Sequence, residues 1–488
     1  MSPTNTAADL AEMAHRGGWR DNPAFYTDSH TWTHGQVHDT VARAATVLGE
    51  HGIRPGKRVL LALTDEIGWV IGFLATIHAG GTPVVVNPAL TEVDHLFMVG
   101  DSESVLVLTN SDLVERFDNA LVIDDLLAEA TTAEPGVAVD NDEPLYMYYT
   151  SGTTGKPKGV LYRQGCLGVY HSLIGMSCFR MTPRDVSLSV SKLYFVYGFA
   201  NTFVYPMFSG SASVLIKERP TPAMAETLVK KYRVTMMYSV PSWYARLVAE
   251  ADSSAFAGLR VAVSAGEPLT PDLTTRASDF LGTPLLNQLG ASEIGCAIAT
   301  NSVEYNAPGT VGHPVPGFQL QLRNSDGTPV PDGEPGEVWV NGPVRMSGYL
   351  NRPEATAETL VDGWLALRDR AVRNSDGTFT HLGRVDDMEL VGGINVSPLE
   401  VEEVLGTHHG VREVAVAAIP DRLGATKLRA FVVPSNGMPH DLLEAELLDL
   451  AGEKLARFKV PRSVHVVDTL PRTPSGKLQR FLLRQRSV

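Results

Sequence analysis

The sequence predicts an α/β fold in which a large N-terminal domain is followed by a small C-terminal α+β domain. Runs rich in valine and isoleucine alternate with longer helical patterns, as at Arg58–Leu63, Thr82–Val86, Val105–Thr109 and Ala212–Ile216. Such alternation is typical of layered α/β structure with buried strands. The 488 residues exceed what one hydrophobic core normally organises, so we expect more than one domain.

A change of pattern at about residue 310 predicts a small β subdomain at the end of the first domain. Short strands there are separated by turn signals, namely Ser325-Asp326-Gly327, Pro331-Asp332-Gly333, Pro335-Gly336 and Asp376-Gly377.

A separate α/β unit is predicted from Val385, with helices at Pro398–Leu405 and Asp441–Leu455 and strands at Val411–Ile419 and Leu428–Val433. We therefore predict a first domain of residues 1–384 and a second domain of residues 385–488. The polar segment around Gly383–Asp387 is the expected junction.

Composition excludes several classes of partner. The net charge of −14 argues against a nucleic-acid-binding surface, which needs clustered lysine and arginine. Met1–Leu10 has neither a basic start nor an apolar run, and no run of about 18 apolar residues occurs anywhere, so we expect neither a secretory signal nor a membrane partner. The expected location is the cytoplasm.

The three cysteines, Cys166, Cys178 and Cys296, form no CxxC pair. This spacing excludes a disulfide framework and a conventional zinc site, so buried free thiols are expected.

The stretch Tyr149–Val160, YTSGTTGKPKGV, is the most informative motif. Its glycines permit close backbone approach, and its hydroxyls and lysines suit phosphate oxygens. It is not a Walker A loop, because Thr150 and Pro157 stand where that motif needs glycine and serine or threonine. The predicted nucleotide-binding residues of this loop are Thr150, Ser151, Gly152, Thr153, Thr154, Gly155 and Lys156, and either Lys156 or Lys158 is expected to supply the positive charge.

This loop is nearly identical to the signature of the adenylate-forming superfamily of acyl-CoA synthetases, peptide-synthetase adenylation domains and firefly luciferase. Further motifs follow in the family order, so the sequence resembles that superfamily over about residues 30–485. The resemblance implies that the loop holds the β- and γ-phosphates of ATP while a carboxylate attacks the α-phosphate.

Two further segments of the first domain extend the resemblance. Ser264–Leu269 looks like the segment that lies along the adenine, which makes Gly266, Glu267 and Pro268 ATP-binding candidates. Gly290-Ala291-Ser292-Glu293 is similar to the family segment whose hydroxyl contacts the α-phosphate and whose carboxylate holds Mg²⁺. Leu289 replaces the tyrosine that often stacks on the adenine in the family.

The resemblance assigns ribose binding to Asp369 and a ribose and phosphate contact to Arg384. Leu367 and Arg368 depart from the family pattern, which has threonine and glycine there. Asp386 is the expected hinge about which a mobile C-terminal lid rotates between the two half-reactions.

Two segments of the second domain complete the family pattern. Gly392 and Gly393 are expected to face the thiol in the second half-reaction, and Ser397 is expected to cap the helix that begins at Pro398. Lys477 is the expected catalytic lysine, which neutralises the carboxylate and the α-phosphate. Glu293 and Thr154 are the other expected catalytic residues, and no side-chain nucleophile is required.

The segment Lys192–Asn201, KLYFVYGFAN, resembles a segment of benzoate-CoA ligases and their aryl relatives. It implies a small aromatic carboxylic acid as substrate, bound by Tyr197, Gly198, Trp243, Ala265, Gly290, Ile294 and Cys296. Benzoate-CoA ligases often have histidine where Cys296 stands, so benzoate and a bulkier or substituted aryl acid are both open.

The expected activity is AMP-forming acid–thiol ligation with ATP, Mg²⁺ and coenzyme A, in a homodimer. The alternative is an adenylation enzyme that loads the phosphopantetheine arm of a carrier protein. A non-catalytic homologue that only binds ligands is disfavoured by the presence of Lys477 and Glu293.

Overall fold

The computed structural model describes residues 4–150, 157–384, 389–391, 394–420, 426–435, 440–455, 457–472 and 478–484. The chain forms two compact units. The first contains residues 1–266, 275–320 and 340–365, and the second contains residues 267–274, 321–339 and 366–488. Within the described ranges, no helix is both long and apolar enough to cross a membrane.

The described α-helices are α1 (Thr6–Arg16), α2 (His34–Glu50), α3 (Ile67–His78), α4 (Glu92–Ser102), α5 (Ile123–Glu129), α6 (Cys166–Tyr170), α7 (Val196–Phe199), α8 (Tyr205–Ser209), α9 (Pro222–Tyr232), α10 (Pro241–Glu250), α11 (Pro271–Leu281), α12 (Pro353–Thr359), α13 (Pro398–Gly406), α14 (His440–Lys454) and α15 (Arg480–Arg484). Short 3₁₀ helices lie at Val114–Arg116, Ser253–Phe256 and Arg457–Lys459, and π-helical turns at His171–Met176 and Ala200–Val204.

The described strands are β1 (Pro23–Tyr26), β2 (Thr31–Thr33), β3 (Arg58–Ala62), β4 (Thr82–Val85), β5 (Leu106–Thr109), β6 (Ala120–Val122), β7 (Pro144–Thr150), β8 (Lys158–Arg163), β9 (Val186–Ser189), β10 (Ala212–Val214), β11 (Met236–Ser239), β12 (Val261–Ser264), β13 (Leu285–Gly290), β14 (Ala297–Thr300), β15 (His313–Pro314), β16 (Gln319–Arg323), β17 (Pro335–Asn341), β18 (Gly348–Tyr349), β19 (Leu360–Val361), β20 (Trp364–Arg373), β21 (Phe379–Arg384), β22 (Glu389–Val391), β23 (Ile394–Val396), β24 (Val411–Pro420), β25 (Thr426–Pro434) and β26 (Ser463–Val466).

Two sheets organise the first unit, and both contain parallel strands. Their orders are β15-β14-β13-β12-β11-β9-β10-β1-β2 and β18-β8-β7-β4-β3-β5-β6. The predicted valine-rich and leucine-rich runs form β3, β4, β5 and β10, and they are buried along nearly their whole length. Helix α3 is apolar on all sides and buried from Gly68 to His78, which suits a helix enclosed by other elements. The predicted α/β class is confirmed.

The second unit contains a sheet of order β24-β25-β26 with helices on its faces. One face of the sheet packs Val416 and Val432 against Val401, Leu405 and the apolar side of α14. The other face, which carries Ala415 and Phe431, packs on Leu470 and Leu483. The predicted helices and strands of this part are confirmed as α13, β24, β25 and α14, with ends shifted by up to two residues.

Two local predictions were wrong. Pro335-Gly336 begins strand β17 and is not a turn, since proline is tolerated at the first position of a strand and Gly336 lies so close to Leu322 that a Cβ would sit 2.9 Å from its Cβ. Ser397 occupies the N-cap position of α13, but its side chain accepts no capping hydrogen bond, and its hydroxyl instead donates to the Leu382 carbonyl at 3.1 Å.

Candidate active site

The phosphate-loop motif lies between two strands of a hairpin. Strands β7 and β8 are antiparallel, and Thr150 is the register partner of Lys158, so the two ends of the motif face each other. The intervening predicted residues lie outside the described residues, namely Ser151, Gly152, Thr153, Thr154, Gly155 and Lys156.

The segment that follows β13 carries Ser292 and Glu293, and the hydroxyls of two buried tyrosines donate hydrogen bonds to its main chain. The Tyr162 hydroxyl donates to the Ser292 carbonyl at 2.5 Å, and the Tyr170 hydroxyl donates to the Ile294 carbonyl at 3.1 Å. Burial raises the pKa of both phenols well above 10, so both hydroxyls stay protonated donors. The tyrosines thereby fix the main chain on either side of Glu293.

Glycines allow this segment to pack so closely. A Cβ on Gly295, whose φ is +85°, would lie 2.1 Å from the Tyr170 hydroxyl. A Cβ on Gly290 would lie 2.8 Å from the Cys296 carbonyl oxygen. Gly290 therefore has a steric role in the turn from β13 to β14, in addition to the predicted place in the acyl pocket.

Glu293 is partly exposed, and one of its two carboxylate oxygens accepts a hydrogen bond. Tyr349 donates from its hydroxyl to Glu293 Oε1 at 2.8 Å, and the Met346 amide donates to the Glu293 carbonyl at 2.7 Å. No group of three or more potential ligands for a metal ion occurs among the described residues. A single carboxylate suits Mg²⁺ that is also bound by phosphate and water, so Glu293 fits the predicted metal contact.

The segment predicted to line the acyl pocket is tightly anchored. The Tyr197 hydroxyl donates to the Val263 carbonyl at 3.0 Å, and the Leu193 carbonyl accepts from the Tyr148 hydroxyl at 2.6 Å. A Cβ on Gly198 would lie 2.1 Å from the Lys192 carbonyl oxygen, so only glycine fits this position.

The other predicted pocket residues lie in the same unit. The Trp243 indole is 5% exposed and donates to the Pro220 carbonyl at 2.9 Å, while Ala265 follows β12 directly. Ile294 and Cys296 are buried. Burial raises the pKa of the Cys296 thiol, so the thiol stays neutral and only weakly polar. All three cysteines are free and buried, as predicted.

The predicted adenine segment begins where β12 ends. Gly266 has a φ of +84° and is exposed, as is Pro268. Glu267 belongs to the second unit, where it accepts a hydrogen bond from Arg472 at 3.3 Å.

In the second unit, the pairing of β20 with β21 brings two predicted nucleotide-binding residues together. Asp369 and Arg384 are register partners on these strands. Asp369 is 8% exposed, and His381 Nε2 lies 2.9 Å from its Oδ1. The hydrogen bond orients the Asp369 carboxylate.

The departure from the family pattern beside Asp369 has a local structural effect. Leu367 is buried, whereas Arg368 is exposed and adopts a φ of +60°. This left-handed conformation is one that glycine adopts freely and arginine does not. The chain thus keeps a backbone shape suited to glycine.

Four more predicted site residues belong to the hinge, the glycine pair and the catalytic lysine position. Asp386, Gly392, Gly393 and Lys477 lie outside the described residues.

Sequence reasoning missed the side chains that support the site. They are Tyr162, Tyr170, Tyr349 and His381. Asp65 belongs with them, because its carboxylate accepts from the Leu193 amide at 3.0 Å. The one available signal was the run of tyrosines in and around β7 and β8.

Comparisons with known proteins place the chain in a family. Residues 13–350 match the AMP-binding enzyme family, and residues 400–477 match the AMP-binding enzyme C-terminal domain. The chain is 37% identical to p-hydroxybenzoic acid–AMP ligase FadD22 of Mycobacterium tuberculosis, over 100% of this chain and 70% of that protein. It is 33% identical to the 4-hydroxybenzoate–CoA/benzoate–CoA ligase of Rhodopseudomonas palustris, over 99% of this chain and 94% of that protein.

Solved structures extend the likeness to the fold. The anthranilate CoA ligase AuaEII in complex with anthranoyl-AMP superposes with a TM-score of 0.94 and 27% identity, over 99% of this chain and 97% of that one. A benzoate CoA ligase from Burkholderia xenovorans LB400 gives a TM-score of 0.92 and 31% identity, over 99% and 100% of the two chains. The chain belongs to the AMP-binding enzyme family.

Proposed function

We propose that the protein is an ATP-dependent ligase that activates a benzoate-type aromatic acid as its acyl-AMP and transfers the acyl group to coenzyme A. Relatives named for benzoate and hydroxybenzoate match it over nearly their full length, which supports this substrate class. The likeness to a CoA ligase structure that contains an aryl-AMP supports the intermediate.

The contact between Glu293 and Tyr349 carries the proposal. Tyr349 is the register partner of Val160 in β8, and Lys158 Nζ lies 5.1 Å from the centre of its ring. The end of the phosphate-loop motif and the carboxylate suited to Mg²⁺ are therefore neighbours. A site for the phosphates of Mg·ATP needs this combination of cation, loop and hard oxygen ligand.

The first half-reaction, which forms the acyl-AMP, uses side chains of both domains. Thr154 and Lys477 stabilise negative charge at the α-phosphate while the aryl carboxylate attacks it, and pyrophosphate leaves. Ser292 contacts the α-phosphate, and Asp369 and Arg384 hold the ribose. Magnesium, when bound at Glu293, supplies charge neutralisation at the phosphates.

A rotation of the second domain separates the first half-reaction from the second. A second domain of residues 385–488 turns about Asp386 and exchanges Lys477 for Gly392 and Gly393, which then face the thiol. This division and hinge are part of the proposal.

The acyl pocket is built from Tyr197, Gly198, Trp243, Ala265, Gly290, Ile294 and Cys296. The apolar walls suit an aromatic ring, and the buried Cys296 thiol leaves room where a larger residue would restrict a ring substituent. Benzoate and hydroxylated or aminated benzoates are the acids to test first.

The test is mass spectrometry of products after incubation with ATP, Mg²⁺, coenzyme A and a panel of aryl and alkyl acids. An aroyl-CoA thioester together with AMP is the expected product. An alkanoyl-CoA thioester as the main product would overturn the substrate class, and the absence of both acyl-AMP and acyl-CoA would overturn the activity.

A second acceptor is favoured by one observation. The M. tuberculosis relative is named as an AMP ligase, and this chain matches 70% of its length. The alternative function is transfer of the aroyl group from the acyl-AMP to the phosphopantetheine thiol of a carrier protein, with release of AMP. Acyl-AMP formation without acyl-CoA, followed by acylation of an added phosphopantetheinylated carrier, would favour it. Light scattering of the purified protein tests the expected homodimer.

A further inference from the structure

Glu293 is held by a side chain to which the proposed mechanism gives no part. The Tyr349 hydroxyl donates to Glu293 Oε1 at 2.8 Å. Tyr349 is 8% exposed and is fixed in strand β18, which pairs with β8. A half-exposed glutamate would otherwise sample several rotamers, so this bond selects one.

A second contact restrains the same residue from the same segment. The Met346 amide donates to the Glu293 carbonyl at 2.7 Å, and Met346 lies three residues before Tyr349 in the chain. One segment thus holds both the main chain and the side chain of Glu293. Within the described part of the chain, no donor contacts the other carboxylate oxygen, Oε2.

The surroundings strengthen Tyr349 as a donor. Lys158 Nζ lies over its ring, 5.1 Å from the centre, and a cation at that place polarises the hydroxyl towards donation. The hydroxyl is directed at a carboxylate, which makes the bond charge-assisted and about twice as strong as a neutral one.

We propose that Tyr349 is a positioning residue that orients the Glu293 carboxylate, with Oε2 turned to the magnesium ion that accompanies ATP. The inference rests on the proposed function. Carboxylates that bind metals are commonly fixed by hydrogen bonds from outside the coordination sphere, and loss of such a bond weakens metal affinity roughly 10-fold to 100-fold.

The test is Tyr349→Phe, which removes the hydroxyl and keeps the ring beneath Lys158. Calorimetric titration of ATP, without any acid substrate, is repeated over a series of Mg²⁺ concentrations. The half-saturating Mg²⁺ concentration is expected to rise about 10-fold, while ATP affinity in EDTA stays unchanged. Tyr232→Phe is the matched control, since its hydroxyl donates to the Thr27 carbonyl at 3.0 Å and should not affect Mg²⁺ dependence.

A double-mutant cycle separates positioning from general support. In a Glu293→Gln background, Tyr349→Phe should change the Mg²⁺ dependence no further, because the group it orients has lost its charge. Additive effects would overturn the proposal. Thermal unfolding is measured in parallel, and a loss of stability with unchanged Mg²⁺ dependence would also overturn it.

The wild type distinguishes this inference from the proposed function. If the wild type binds ATP without any response to Mg²⁺, the proposed function fails and the inference fails with it. If the wild type responds to Mg²⁺ and Tyr349→Phe responds identically, the proposed function stands and only the role of Tyr349 is refuted.

Discussion

Asp65 and Lys192 form a buried ion pair at the start of the segment that is proposed to line the acyl pocket. Lys192 Nζ lies 3.8 Å from Asp65 Oδ2, with side-chain exposures of 9% and 6%. The ammonium also donates to the carbonyls of Ile216 and Glu218, and Asp65 Oδ2 accepts from the Leu193 amide at 3.0 Å. The pair therefore joins the loop after β3 to the pocket segment.

Replacing Lys192 with methionine should destabilise the protein strongly. The change leaves Asp65 buried without its cation, and breaking a buried pair typically costs about 3–5 kcal/mol. Asp65→Asn combined with Lys192→Met should recover part of this loss, because no charge is then left unpaired. Urea unfolding of the single and double variants measures both effects, and a loss below about 1 kcal/mol for Lys192→Met would contradict the prediction.

Asp65 should also make stability depend on pH. Burial raises the pKa of Asp65 from 3.8 to about 6, so the folded protein binds this proton more tightly than the unfolded chain does. Its contribution to stability is therefore complete below pH 3.8 and is lost as pH rises through 6. The difference in unfolding free energy between wild type and Asp65→Asn should fall across this window, at up to about 1.4 kcal/mol per pH unit. A difference that stays constant or rises would refute the assignment, and Asp39→Asn, at an exposed site, is the control.

The sequence predicted those parts of the molecule whose signals are local. Continuous apolar runs such as Leu60–Ala62 specify buried strands. Contacts between distant positions were not predictable. Asp65 reads as an ordinary loop acid until the fold places Lys192 beside it, and nothing near Tyr349 in the sequence indicates a bond to Glu293.

Arg368 and Ser397 show the same limit of prediction from the sequence. The sequence identified Arg368 as a departure from the family pattern, but only the structure shows that its φ is left-handed. Ser397 fits a capping signal, yet its side chain makes no cap, and its hydroxyl donates to the Leu382 carbonyl because strand β21 passes close to the helix start. Local propensity is overridden in such cases by tertiary contacts.

Gly198→Ala should damage the acyl pocket specifically. A methyl group there would lie 2.1 Å from the Lys192 carbonyl oxygen, so the pocket segment must shift. We expect KM for the acid to rise at least about 10-fold and stability to fall by about 1–3 kcal/mol, with ATP affinity little changed. Gly100→Ala in α4 is the control, because no atom lies within 4 Å of its added methyl group. Equal acid KM values for wild type and Gly198→Ala would contradict the prediction.

Asp369→Asn should weaken ATP binding through the ribose. Hydrogen bonds to a charged group contribute about 1.5–3 kcal/mol, which corresponds to a loss of roughly 10-fold to 100-fold in affinity. Because the proposed partners are the ribose hydroxyls, 2′-deoxy-ATP and 3′-deoxy-ATP should lose affinity in the wild type and lose less in the variant. Asp376→Asn, at a turn of the same unit, is the control. Discrimination against the deoxynucleotides that is unchanged in Asp369→Asn would refute the assignment.

Arg368→Gly should stabilise the protein, although it removes a side chain. Arg368 has a φ of +60°, a conformation that costs an L-residue roughly 1–2 kcal/mol and costs glycine nothing in steric strain. Greater freedom of glycine in the unfolded chain offsets about 0.5–1 kcal/mol, so a net gain of up to about 1 kcal/mol is expected. Arg373→Gly is the matched control: it is an exposed arginine in the same strand without a positive φ, and its replacement should destabilise. The free energy of unfolding, measured in urea, should therefore rise in Arg368→Gly and fall in Arg373→Gly. A loss of stability in both variants would show that the left-handed backbone at Arg368 carries no strain that glycine relieves.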